Sequence, residues 1–175
     1  MSHPSSVEPW LRGTHAEVPA VGRAVLHALD LALEDLNAWT NGLSDAEVHA
    51  RPLGLPSIAF HLKHLARSTD RLLTYAEGGQ LSVDQLALLK AEQNQPLHPE
   101  AEPLPALLTE VEGALRAAAD RVRGLSMTDL DIPRGVGRKQ LPTSIGGALV
   151  HVADHTQRHV GQVITTAKVL KGLRG

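Results

Sequence analysis

Ten histidines stand in this chain of 175 residues. Five of them fall into two short clusters, His151-x-x-x-His155-x-x-x-His159 and His61-x-x-His64. On an α-helix, residues three or four apart share a face, one turn above another. Two imidazoles so placed can reach one metal ion, and neutral imidazole is a common ligand for zinc and similar ions. Such a site needs at least one further protein ligand from another element, and it keeps an open position where it does chemistry. A single i, i+4 histidine pair is commonly no more than helix surface. Three in a row, with a second cluster on another expected helix, point to a shared divalent-metal site. His3, His15, His27, His49 and His98 stand apart from both clusters.

A helical wheel of about 100° per residue sorts the clusters. In the last helix, Ile145, Leu149, Val152, Val163, Ala167 and Leu170 define the apolar centre. His159 lies roughly 40° from it, His155 roughly 80° and His151 roughly 120°. His155 and His159 are therefore the ligand pair, with His151 left to a supporting or surface role. Gln162 falls on the side of His155. In the other cluster His61 lies nearer the apolar centre than His64, and the wheel alone leaves the choice between them open.

Other chemistries fit less well. A zinc-protease H-E-x-x-H would need Glu where Val152 stands, and in the inverted pattern Asp154 replaces Glu and points away from the apolar stripe. Gly135-Val-Gly137-Arg-Lys lacks the spacing and the preceding strand of a phosphate loop, and reads as a flexible turn. There is no cysteine, hence no disulfide, thiolate ligand or cysteine nucleophile. No acid or base is assigned a catalytic role; Tyr75 and Gln162 are weak candidates for polar pocket residues.

Four long helices must position the histidines. The first spans about Pro19 to Thr40, through Val21, Val25, Leu29, Leu33 and Leu36, and stops at Asn41-Gly42. Ser44 with Glu47 forms a capping box for a short turn. The second runs from Pro56 or Ser57 to Glu77 and stops at Gly78-Gly79. Ser82 to Gln93 is a short side helix or lid, followed by a proline-rich connection through Pro96, Pro99, Pro103 and Pro105. The third covers about Leu104 to Arg123 and ends at Gly124. Thr128 to Pro142 reads as a loop, and the last helix runs from Pro142 or Thr143 to about Leu170. With no alternating strand pattern, this is an all-α four-helix bundle with long connections. Residues 1–18 are expected as a flexible arm and 19–175 as one domain.

Composition agrees. Aromatic residues are only 2% and hydrophobic residues 42%, so the core is aliphatic, as suits helices packed on helices. A net charge of -2 without a basic block argues against nucleic acid as a partner. No leader-like segment and no run of membrane-spanning length occurs, so a cytoplasmic protein without a membrane partner is expected. Exposed apolar residues on a short bundle often pair across a two-fold, so a homodimer is expected.

Ser57-Ile-Ala-Phe-His-Leu-Lys-His64, followed by Asp70-Arg71-Leu72-Leu73, resembles the second helix of the DinB/YfiT-like four-helix metalloenzyme superfamily. His151-Val-Ala-Asp-His155-Thr-Gln-Arg-His159-Val-Gly161-Gln162 resembles its last helix, and the likeness covers about residues 20–172. The resemblance implies a metal held by one histidine of the second helix and two of the last. By motif position these are His64, His155 and His159, with His61 as the alternative that the wheel prefers. It also implies one divalent ion, zinc or nickel, and a small-molecule substrate. Relatives with assigned activities are transferases or an isomerase that use low-molecular-weight thiols such as bacillithiol or mycothiol. The expectation is a metal-dependent enzyme, a thiol S-transferase first. The alternatives are a metal-dependent hydrolase or a non-catalytic metal-binding, stress-response protein.

Overall fold

Apolar residues at three- and four-residue steps build α1 (Ala20–Thr40), α3 (Ile58–Ala76), α5 (Leu104–Ser126) and α6 (Ile145–Leu173) in the computed structural model, which describes residues 7–93 and 102–174. Two shorter helices, α2 (Asp45–His49) and α4 (Val83–Gln93), lie between them, and a small hairpin of β1 (Pro133–Val136) and β2 (Leu141–Ser144) precedes α6. The fold is mostly helical. His3 and His98, and with them Pro96 and Pro99 of the long connection, lie outside the described residues.

The long helices close a ring of contacts: α1 on α6, α6 on α3, α3 on α5 and α5 on α1. Their inner faces bury Leu26, Leu36, Leu62, Leu65, Leu115 and Leu149 almost completely. Each such side chain contributes about 1.5–3 kcal/mol relative to exposure. At one crossing the side chain is missing by necessity. A Cβ on Gly22 of α1 would stand 1.8 Å from the Ser126 hydroxyl of α5, so glycine lets the two backbones meet.

Local signals set the helix ends. Ser57 accepts from the Phe60 amide at the start of α3. At α2, Ser44 and Glu47 make both bonds of the capping box. Gly42 and Gly78, with φ of +74° and +85°, turn the chain after α1 and α3. Three expectations change. Gly124 does not end α5, which continues to Ser126 because Ser126 is buried against Gly22. The last helix starts at Ile145 rather than Pro142 or Thr143, capped by Ser144, whose hydroxyl accepts from the Gly147 amide. The expected loop 128–142 and its glycine-rich turn contain an antiparallel ribbon pairing Pro133 with Ser144 and Val136 with Leu141. In a two-stranded ribbon both strands are edges, so Pro133 and Pro142 are tolerated there.

The ribbon anchors the start of α6. The Ile145 and Gly146 amides donate to the carbonyls of Ile132 and Leu130, and Arg134 Nε donates to the Ala76 carbonyl at the end of α3 at 2.7 Å. Residues 7–18, expected within a flexible arm, are tied along α1. Arg12 pairs with Glu34, His15 with Asp30 at 2.8 Å and His27 with Thr14, while Val18 enters the core. Among the described residues no helix is long and apolar enough to cross a membrane.

Candidate metal centre

α3 and α6 lie side by side, and their facing flanks carry the two histidine clusters. His64, His155 and His159 each offer one ligand atom, and these atoms lie within 4.8 Å of one another. The ring centroids are 4.5 Å apart for His64 and His159, 4.6 Å for His155 and His159, and 5.3 Å for His64 and His155. All three are half-buried. The group could hold a metal ion. It is the set that the motif positions name, drawn from two helices.

His61 lies deeper, at 4% exposure. The wheel placed it nearer the core than His64, and it occupies that position, outside the triad and behind His159, with the two Nδ1 atoms 3.0 Å apart. His151 points outward and pairs with Asp154 at 2.9 Å on the exposed face. Gln162 is exposed. Tyr75 is three turns, about 16 Å, along α3 from His64. Gln162 and Tyr75 do not approach the triad, whereas the His151 ring meets the His155 ring edge-on at 5.6 Å between centroids.

The partners of the rings test whether the donor set suits a cation. A histidine ligand binds through one nitrogen while the other is fixed by an outer partner. Here each Nδ1 is engaged. His64 Nδ1 lies 3.0 Å from Glu92 Oε2, and a carboxylate only accepts, so this nitrogen carries the proton. His155 Nδ1 lies 3.4 Å from Ser68 Oγ. Ser68 donates its own proton to the Leu65 carbonyl, so it accepts from His155. His159 Nδ1 faces His61 Nδ1, and with the proton on His159 its Nε2 is likewise left with a lone pair. Each ring then keeps a lone pair on its other nitrogen, in a triad whose offered ligand atoms lie within 4.8 Å of one another, which suits a divalent ion. It comes at a local cost: with His61 accepting at Nδ1, its Nε2 proton is buried without a partner.

Electrostatics point the same way. Burial, and then the neighbouring His64, pushes His155 down to about 4 and His159 to about 3, with the other histidines and Arg158 adding to it. His61 is lowered to about 4 by burial and by His64. Near neutral pH these rings are uncharged and open to metal. Burial would raise the Glu92 carboxyl, but bonds from His64 and Arg71 outweigh it and hold the group below the usual range. Arg71 grips both carboxylate oxygens of Glu92 at 3.0 Å. The chain's single phenylalanine, Phe60, stacks on His64 at 5.7 Å between centroids.

Sequence reasoning missed Glu92 and Ser68, and carried Arg71 only as part of the second-helix motif, with no role. Arg71 and Ser68 follow His64 by seven and four residues, on the same helical face, which was a usable signal. Glu92 carried none, being one acid on a short helix without a clear apolar stripe.

A helical protein with a three-histidine group able to hold a metal is the class that these features define. A sequence model described as the DinB superfamily matches residues 28–163, most of the chain, and the chain belongs to that superfamily. No curated protein matches it.

Proposed function

We propose that this protein is a divalent-metal-dependent enzyme built on a four-helix bundle, with His64, His155 and His159 holding the ion, and that it transfers a low-molecular-weight thiol to an electrophilic small molecule in the cytoplasm. The observation that carries the reading is the triad itself: three imidazoles whose offered ligand atoms lie within 4.8 Å of one another, each with its Nδ1 engaged by the protein. Zinc or nickel suits such nitrogen donors. A divalent ion there supplies Lewis acidity, lowering the pKa of a bound water or thiol.

The chain's residues supply the rest. Histidine ligands His64, His155 and His159 would leave the charge of a divalent ion uncompensated, which would favour an anionic cosubstrate such as a thiolate beside them. Phe60 keeps water from one face of His64. With no cysteine in the chain, the sulfur comes from outside. The thiol gives up its proton to solvent before the transfer; its sulfur then bonds to the electrophilic carbon, and the leaving group departs with the bonding electrons. No side chain is assigned as general acid or base, which suits a reaction whose nucleophile is already ionised.

The test is metal analysis of protein purified without a histidine tag. One zinc or nickel per chain, lost in His155→Ala and in His159→Ala, is expected. Transfer of a cellular thiol to a generic electrophile should then depend on the added ion. Absence of stoichiometric metal under all loading conditions sinks the metal site, while metal without transfer sinks only the reaction.

A further inference from the structure

Glu92 is an unusual residue for the helix that carries it. α4 packs on α3 and exposes much of its apolar surface, with Val83 at 82% and Leu86 and Leu88 near 40%. A helix so thinly packed has little hydrophobic reason to stay docked. Its N-terminal half is held by polar bonds, from Gln85 to Asp70 Oδ2 at 2.6 Å and to Thr74 Oγ1 at 2.8 Å. Its C-terminal half is held by one ionised side chain driven into the interior, with 5% of Glu92 exposed.

That carboxylate is shared. Oε1 and Oε2 each accept from Arg71, itself buried, and Oε2 also accepts from His64 Nδ1. The Arg71 fork fixes the carboxylate in its plane, and the carboxylate then fixes the tautomer and rotation of His64. Of the three triad histidines, His64 alone has an ionised outer partner. His155 relies on a hydroxyl and His159 on another imidazole. His64 is also the ligand with no ligand neighbour on its own helix, so its orientation decides whether the α6 pair becomes a three-coordinate site.

We propose that Glu92 is the positioning residue of the metal centre, and that through Arg71–Glu92–His64 the docking of α4 and the binding of the metal reinforce each other. This rests on the reading of the triad as a metal site. A cation on His64 Nε2 polarises the Nδ1–H bond and strengthens the link to Glu92, while an undocked α4 frees His64 to turn. Because coupling between two equilibria is reciprocal, whatever factor the metal loses without Glu92, α4 gains in protection when metal is bound.

The experiment compares wild type, Glu92→Gln and Gln85→Ala, each stripped and then titrated with zinc against a chromophoric chelator. Hydrogen exchange over residues 83–93 is followed with and without zinc. Glu92→Gln keeps the shape and an acceptor but loses the charge, and outer-shell losses of this kind weaken metal affinity by about 10- to 100-fold. In wild type, zinc should slow exchange across α4 by a similar factor, and in Glu92→Gln this slowing should largely vanish. Gln85→Ala removes the ties at the other end of α4 without touching the carboxylate, so its affinity should fall only in proportion to the undocking that exchange reads, and by less than in Glu92→Gln while α4 stays docked. Equal zinc affinity in wild type and Glu92→Gln would overturn the proposal. So would an unchanged zinc affinity in a Gln85→Ala protein whose α4 exchanges as an undocked helix, since docking and binding would then be independent. No zinc binding by wild type would instead remove the metal site itself.

Discussion

Replacing His61 by leucine separates what the triad needs from what the fold needs. In the native protein His61 is 4% exposed, and its Nε2 has no hydrogen-bond partner. A buried polar group left unsatisfied costs about 1–3 kcal/mol. Leucine has a similar volume and no polar atoms, so the substitution removes that cost and adds apolar burial. Against this, His159 Nδ1 loses the acceptor 3.0 Å away, a bond worth about 0.5–1.5 kcal/mol. His159 is only half-buried, so water can replace part of that loss. The balance is a gain of about 1 kcal/mol for the metal-free protein, read as a rise of about 2–4 °C in the melting midpoint. Metal binding should move the other way. Without His61 nothing fixes the proton of His159 on Nδ1, and the affinity should fall by about 10-fold or more, roughly 1.4 kcal/mol. Urea denaturation in the presence of a chelator gives the first quantity and competitive zinc titration the second. A metal-free variant less stable than wild type by more than about 1 kcal/mol, with unchanged zinc affinity, would refute the argument and make His61 an ordinary core residue.

Acid should destabilise the metal-free protein. His61, His155 and His159 titrate at about 4, 4 and 3 in the fold, against about 6.5 in an unfolded chain. Between these values the unfolded state binds more protons, so stability is complete above about pH 6.5 and falls as the pH drops towards 3–4. Glu47, Glu92 and Glu102, all held below the ordinary carboxylate range, push in the same direction. A urea midpoint that did not fall between pH 7.5 and 4.5 would contradict this. Gly22→Ala should cost about 1–3 kcal/mol by overpacking against Ser126. Much of that loss should return in Gly22→Ala/Ser126→Gly, and simple additivity of the two changes in a denaturation cycle would count against the close contact. Leu149→Ala, fully buried in α6, should cost about 2–5 kcal/mol; a thermal midpoint unchanged by it would show that the core is not packed as described.

The long helices were legible because their apolar period is regular and glycine or a capping serine marks most ends. Gly124 misled because glycine only stops a helix where the chain has reason to turn, and the contact between Gly22 and Ser126 favours one more turn of α5. The ribbon was hidden because its strands are four residues long, contain Pro133 and Pro142 and show no alternation. The α6 pair was legible from spacing, and His64 from its motif position. The wheel alone leaned to His61 because it measures distance from the core, whereas the triad lies on the flank where α3 meets α6. Glu92 was not legible at all, since its role depends on a fold-back of α4 that no local pattern encodes.

The candidate ligand set spans the chain. His155 and His159 are neighbours wherever α6 is helical, but His64 stands 91 residues before His155 and reaches them only when α3 has docked in register. A nascent or misassembled chain therefore offers an ion two ligands at most, and only a finished one offers three. Occupancy at such a centre audits the assembly. An ion held there would also be a clasp on a loop of about 90 residues, comparable in length to those whose covalent closure is worth about 4–5 kcal/mol through the unfolded chain. Metal starvation would then be felt first as faster turnover of the protein, before any change in what the folded molecules can do.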